Sequence, residues 1–393
     1  MGGLDWLSPV VIMLGTFALY FGGRRILGSA FDVPLFWGGS QRSEKFALAL
    51  VATFAIAFVL AVALSPSHRR LVVRSTERGS VGLSAARILL LIYLAIGAGA
   101  LALLVQRLGG LRNVLSVQAA WASQIKEQGL GPLYSLTYLY VIGCVVGAFR
   151  ALLQRRRFVA ILWFVAASIP AIILGRRVII LFTALPLLTV THYHVKRLRL
   201  SHIAWLVAFG TVVFTGILLL RLNVRGTVAE AVATSNEFAI YDAMVAVVDR
   251  HRELEHFDTG YFLRHPADFW GSNAGALFMQ RLVGFQFSGG ATPPSAIGVL
   301  FVYFGVAGVI LGALLLGTIL SRLRLEALTD PVAALVYGLV LFYWFDFLRN
   351  GDVVLGIKLV LRYGSVLLLL LFAFYRVEIT VQARSAKARG VGL

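Results

Sequence analysis

The stretch Phe46–Leu64, FALALVATFAIAFVLAVAL, decides the fold. It contains no charged residue, and its one hydroxyl belongs to Thr53. Runs of about 18 or more apolar residues are long enough, as helices, to cross a hydrocarbon core of about 30 Å. Lipid offers the backbone no hydrogen-bond partner, so a continuous apolar run must pair its own N–H and C=O groups, which a helix does. A barrel strand would alternate lipid-facing and lumen-facing residues, and this run does not.

Similar runs recur along the chain. Hydropathy places about ten spans, near 6–23, 45–64, 84–106, 131–149, 157–174, 178–193, 201–220, 294–318, 331–349 and 355–375. The 393 residues are 59% hydrophobic and 14% charged, with mean hydropathy +0.85. The expected fold is all-α: a polytopic integral membrane protein with about ten transmembrane helices, 1–393 forming a single transmembrane domain. The opening residues Met1-Gly2-Gly3-Leu4-Asp5-Trp6 lack a basic region and no small-residue cleavage site follows, so the first segment reads as a retained helix. Cys144 is the only cysteine and sits in an apolar segment, as a small buried residue would. A formal charge of +18 does not indicate nucleic acid, because the Lys and Arg residues form short clusters between hydrophobic segments. Anionic membrane lipids and topology account for them.

Arg69-Arg70-Arg74-Arg78, Arg150 with Arg155-Arg156-Arg157, Lys196-Arg197-Arg199, Arg322-Arg324 and the tail Arg376, Arg384, Lys387 and Arg389 all fall on one side of the predicted spans. The positive-inside rule makes that side cytoplasmic, with both termini. Arg24-Arg25, Arg42 and Lys45 fall on the other side if the first segment spans once. Either those cations act outside or the first segment is not a simple span.

On the outer face this topology leaves residues 107–130, the turn Gly175-Arg176-Arg177 and the long loop 221–290. The long loop carries 8 of the 18 acidic residues and 3 of the 7 histidines, against six arginines, so it is net negative in a basic chain. Val228 to Asp249 has a helix-like distribution of apolar residues, which predicts an amphipathic helix on the membrane surface or against the bundle. The second half, with Pro266, Gly271, Gly275 and several aromatics, reads as a re-entrant or interfacial segment.

The candidate chemistry starts at Arg176-Arg177, between two apolar helices with no acid near in sequence. Arginine at membrane depth needs a partner. A guanidinium fork binds phosphate oxygens bidentately, so a phosphate or pyrophosphate headgroup suits this turn. The plainer alternative is that both side chains snorkel and anchor the turn. Arg221 and Arg225, four residues apart, share a helical face, and Arg264 and Arg281 would complete a cationic pocket. Glu237 and Asp242 lie about 140° apart on the predicted helix, so one serves as a base while the other is solvated. His251 and His256 are five apart, not the four that sets two zinc ligands together, so no metal site is expected. His265, between Arg264 and Pro266, is an acid–base candidate because imidazole titrates near neutrality. Gly289-Gly290-Ala291-Thr292-Pro293-Pro294 gives a sharp start to a helix in which Gly305, Gly308 and Gly312 would let helices approach closely. Asp346, Arg349, Asp352, Lys358 and Arg362 suggest a buried ion-pair network in the last two spans, or a proton path. Gly-x-Ser-x-Gly, P-loop, Gly-x-Gly-x-x-Gly and Asp-x-Asp motifs are absent from the sequence, which argues against an ordinary hydrolase, an NTP-driven pump, a nucleotide enzyme or a metal-dependent nucleotide-sugar transferase.

The turn Gly175-Arg176-Arg177, the segment Asn236-Glu237-Phe238 through Asp242, and Gly289 to Gly298 leading into Phe304-Gly305-Val306-Ala307-Gly308 resemble the oligosaccharide repeat-unit polymerases, the Wzy-type O-antigen polymerases. Arg264 and Gly275 match an Arg-x10-Gly spacing of some members, whereas Val299 stands where many carry an acid. The resemblance implies a multispanning inner-membrane glycosyltransferase with its active face periplasmic. It would move a glycan from an undecaprenyl-pyrophosphate carrier to a carrier-linked repeat unit, without metal or other cofactor. Arg176, Arg177, Arg221, Arg225, Arg264 and Arg281 would hold pyrophosphate, and Glu237 or His265 would take the acceptor's proton. Implied partners are the undecaprenyl-pyrophosphate-linked oligosaccharide, membrane lipids, and chain-length-regulator and flippase proteins. An O-antigen ligase shares the donor and the arginines. A transporter or flippase would instead place polar residues at midplane near broken helices, and a structural scaffold would not need the loop's titratable groups.

Overall fold

The structure, a computed structural model, describes residues 5–23, 39–65, 84–116, 124–125, 127–174, 177–199, 201–202, 239–254, 282 and 295–350. Among them the helices are α1 Pro9–Phe17, α2 Gln41–Leu64, α3 Ser84–Arg107, α4 Leu111–Ser116, α5 Gly131–Leu153, α6 Arg157–Ile173, α7 Arg177–Val190, α8 Ala239–Asp249, α9 Ser295–Ala327 and α10 Pro331–Asn350. No strand occurs among the described residues. Among the described residues four helices are long and apolar enough to cross a membrane: α2, α3 from Ile88, α5 and α9. Pro9–Gly23, Arg157–Ile173, Ile179–Val195 and Pro331–Trp344 are shorter apolar helices. The predicted spans 201–220 and 355–375 fall outside the described residues, apart from the helical residues 201–202.

Helix starts follow local chemistry. Ser40 caps α2 by accepting from the Ser43 N–H at 3.2 Å, and Ser8 caps α1 ahead of Pro9. Asp330 accepts from the Val332 N–H at 2.7 Å at the start of α10, where Pro331 lacks the donor that a first-turn residue leaves unused.

Large apolar side chains face outward on α6 and α2, and on α6 the inward positions are small. On α6 the buried positions are Ala160, Ala167, Pro170 and Ala171, while Phe158 is 72% and Ile161 58% exposed. On α2 the buried seam is Ala47, Leu50, Val51, Phe54, Ala57, Phe58 and Ala61, with Ile56, Leu60 and Leu64 exposed. Water would penalise outward faces of this kind, and lipid does not. Small inward residues bring helices close enough for dispersion contacts, the main attraction left when both solvent and protein are apolar. The chain is therefore a helical membrane protein.

The described residues form two compact units, one drawn from Met1–Ser67, Leu198–Glu326 and Val340–Leu359, the other from His68–Arg197, Ala327–Leu339 and Val360–Leu393. In the second unit α5 packs between α3 and α6. Gly97 lies against the Tyr140 backbone, and a Cβ on Gly147 would sit 2.7 Å from the Trp163 ring. Cys144 is buried there, as its segment predicted. Leu101, Leu104, Leu108, Val114, Ile125 and Leu174 close the end of this unit where α3 turns into α4. The Thr189 hydroxyl donates to Ala334 O at 2.7 Å, and the apolar helix α7 ends in a π-helical turn, Thr191–Val195.

In the first unit Trp344 stacks on Phe54 and Phe58, with ring centroids 6.0 and 5.4 Å apart. Gly317 of α9 is seated on α2, where a Cβ would come 2.8 Å from the Phe58 carbonyl. Phe301 meets Phe46 near the start of α2, and Gly317 reaches Phe58 further along it, so the part of α9 after Gly305 advances in the same direction as α2. Asp5 pairs with Arg324 near the end of α9 at 2.6 Å, while Phe21 packs edge-on against Tyr241 at the other end. The segment from Asp5 to Phe21 thus runs the length of this unit, though its α-helix is only 9 residues and continues as a π-helix over Ala18–Gly23.

The sequence read 294–318 as one straight span, and the structure corrects that. Gly305 has φ 65° and ψ −159°, which breaks α9 into two helical pieces. A Cβ on Gly312 would meet Leu300 Cδ1 at 2.7 Å. In a straight helix those residues would be separated by about 18 Å, so the first piece folds back on the second. Gly308 and Gly312 do serve close packing, against Phe304 and Leu300 of the same element. Gly305 serves the break. That backbone region is essentially open to glycine alone, at a cost of about 1–3 kcal/mol for other residues. Gly305→Ala should therefore lower the unfolding temperature in detergent although its Cβ meets nothing within 4 Å. Gly99→Ala, in α3 and equally unobstructed, should leave the unfolding temperature unchanged or raise it.

Candidate functional site

The sequence-predicted residues Arg176, Arg221, Arg225, Glu237, Arg264, His265 and Arg281 lie outside the described residues. Arg177 opens α7, but its side chain is outside them as well, as are the side chains of Asp346 and Arg349 and all of Asp352, Lys358 and Arg362. The structure does describe the middle of the long loop, and it is the place in the first unit where titratable groups converge.

The predicted amphipathic helix Val228–Asp249 is described from Ala239 onward, as α8. It is not a surface helix. Every residue from Ile240 to Val247 is buried, so the helix is covered all round rather than on one face. Its partners include α2 and the π-helical turn that follows α1. Met244 receives a contact from the Ser295 hydroxyl at 3.7 Å, and Ser295 holds the first turn of α9 by accepting from the Gly298 N–H at 3.4 Å.

Two polar contacts join α8 to the start of α2. Asp249 Oδ1 accepts from the Ser40 N–H at 3.2 Å, the Ser40 hydroxyl at 2.9 Å and the Ser43 hydroxyl at 2.5 Å. The Tyr241 hydroxyl donates to Glu44 Oε1 at 3.0 Å. Asp249, at the end of α8, meets the cap of α2, while Tyr241, about two turns earlier, meets α2 a turn further on. The helices therefore run antiparallel here, with the beginning of α8 further along α2 toward its apolar part. Arg250 donates to Leu282 O at 2.7 Å, which ties the far half of the loop to the end of α8. The His251 ring lies 4.8 Å from that of Phe301.

Asp242 is the acid the sequence left as either base or solvated. It is 0% exposed, which corrects the solvated option. By helical geometry it shares a stripe with Asp249, about 20° apart and about 10 Å along the axis. One acid of the stripe thus stands at the exposed rim and caps α2, and the other is enclosed. Asp242 escaped a reading based on acids being exposed, because that rule carries no knowledge of what covers the helix. Ser40, Ser43 and Glu44 also went unread, although Ser40-Gln41-Arg42-Ser43-Glu44 before an apolar run is a readable helix-start signal. In the second unit His192 and His194 were not singled out either; His192 is buried, and His194 Nε2 lies 2.8 Å from Ala327 O.

The class the fold defines is a helical integral membrane protein with a folded loop helix. No family model matches the chain, and no curated protein or solved structure matches it.

The Ser43 hydroxyl foremost, then the Ser40 N–H and hydroxyl, hold the Asp249 carboxyl below its ordinary value; partial burial opposes them and Arg250 adds a smaller pull downward. A depressed carboxyl stabilises the fold above its unfolded value of about 3.9, and that contribution fades as pH falls through the folded value. Asp249→Asn should therefore unfold at a lower temperature than the unsubstituted chain at pH 7. The gap should close as pH drops below about 4, read by thermal scans of detergent-solubilised protein.

Proposed function

We propose that the chain is a lipid-linked oligosaccharide repeat-unit polymerase, a metal-independent glycosyltransferase of the bacterial inner membrane with about ten spans, cytoplasmic termini and a periplasmic active face. The observation that carries this reading is the buried, docked state of α8 within the long loop. A loop that only linked two spans would have no need to return between helices. The contact of Asp5 with Arg324, at the end of the first unit away from α8, supports placing the N-terminus on the side of the Arg322-Arg324 cluster.

In this reading Arg176, Arg177, Arg221, Arg225, Arg264 and Arg281 bind the pyrophosphate of donor or acceptor. As the bond from the sugar's anomeric carbon to pyrophosphate oxygen breaks, its electron pair leaves with the pyrophosphate, and positioned guanidinium groups stabilise that charge. The acceptor hydroxyl forms the new glycosidic bond and gives its proton to Glu237 or His265. The product is a longer carrier-linked glycan for O-antigen, capsule or exopolysaccharide.

One observation favours a transporter or flippase: α9 is broken at Gly305, and broken helices mark substrate sites in transporters. The described residues flanking that break, Val302, Tyr303, Phe304 and Val306, carry no charged side chain, and the Tyr303 hydroxyl is the one polar side-chain group among them. The polymerase reading is therefore preferred.

In cells that assemble a long surface polysaccharide, Arg176→Ala or Arg221→Ala should leave the protein in the membrane yet shorten the glycan to a single repeat unit, read on a gel of the extracted polymer. Normal length in both variants would remove the pyrophosphate pocket. Polymer that accumulates on its carrier without being transferred onward would assign a ligase, and single units that fail to cross the membrane would assign a flippase.

A further inference from the structure

An 11-residue helix has marginal stability by itself. Its own buried residues from Ala243 to Val247 are mostly alanine and valine, and apolar burial is not directional. Direction comes from hydrogen bonds. Three of them reach Asp249 from Ser40 and Ser43, and a fourth joins Tyr241 to Glu44. The first set is charge-assisted and sits at the N-terminus of α2, where the helix dipole favours an anion. One point of attachment would leave a pivot. Two points at different heights on α2 fix both the depth of α8 and its rotation.

We propose that Asp249 is a positioning residue of the outer-loop site: through Ser40 and Ser43, with Glu44 and Tyr241 as the second point, it sets the height and rotation at which α8 holds Asp242. This rests on the reading of the loop as a wall of the transferase site. Asp249 is exposed and makes its contacts at the rim, so its role is exerted through α8.

The test uses the full chain with Cys144→Ala, so that introduced cysteines are the only thiols. Spin labels on Lys45→Cys and Arg252→Cys, both exposed, report the distance between α2 and the end of α8. Transfer is measured in vesicles of anionic phospholipid with carrier-linked repeat units. A narrow distance distribution is expected in the parent. Asp249→Ala, and Ser40→Ala with Ser43→Ala, should each broaden it and lower kcat about tenfold while KM stays within twofold, and Ser43→Thr, which keeps a hydroxyl, should behave as the parent. If Asp249→Ala does not accumulate, the isosteric Asp249→Asn provides the same comparison. A distribution that stays narrow without Asp249, or a broadened one with kcat unchanged, would overturn the proposal. Lack of transfer by the parent counts against the transferase reading alone, because the distances still decide whether Asp249 sets the position of α8.

Discussion

Lipid gives a backbone N–H or C=O nothing to bond with, and the described structure follows from that constraint. It makes each described apolar run a helix, and it removes the hydrophobic effect as a reason for those helices to associate. What remains is close approach, so alanine and glycine stand at tight contacts, beside buried Leu, Ile and Phe, while many large aliphatic side chains face outward. The inward Ala160, Ala167 and Ala171 beside the outward Phe158 and Ile161 on α6 show that sorting on one helix. Gly97, Gly147 and Gly317 show its result between helices, with neighbouring atoms standing where a Cβ would be.

Among the described residues α8 and α9 depart from straight spanning helices, and both depend on the packed surroundings to satisfy what lipid would not. α9 is interrupted at Gly305 in a conformation that only glycine adopts without strain, and its first ten residues fold back on the remainder. α8 enters from the long loop, is covered on all sides, and encloses Asp242. Ser295 connects the two through its contact with Met244 and its cap on α9. The polar chemistry of the first unit is thus assembled from the start of α2, the loop helix and the start of α9.

The sequence carried the helices well where a run was long and uniform. Residues 45–64, 84–106 and 131–149 correspond to α2, α3 and α5 within a few residues, because length and uniform hydropathy suffice to specify a helix in lipid. It carried α8 only in part: the apolar spacing announced a helix, but the same spacing suits a helix on a surface and one inside a bundle. The break at Gly305 was hidden for a related reason. Gly305, Gly308 and Gly312 look alike in a list of small residues, and only the backbone path separates the one that breaks the helix from the two that pack.

Composition and run length by themselves determined that this chain is helical and built for a membrane, since those properties follow from the solvent that each segment meets. The tertiary structure alone decided that Asp242 is enclosed and Asp249 exposed, that Ser40, Ser43 and Glu44 belong with a helix some two hundred positions away, and that α9 turns back at Gly305. The reason is that hydropathy is a property of one segment against its solvent. Burial of a charge and the docking of a short helix are properties of segments against each other, and they exist only once those segments meet.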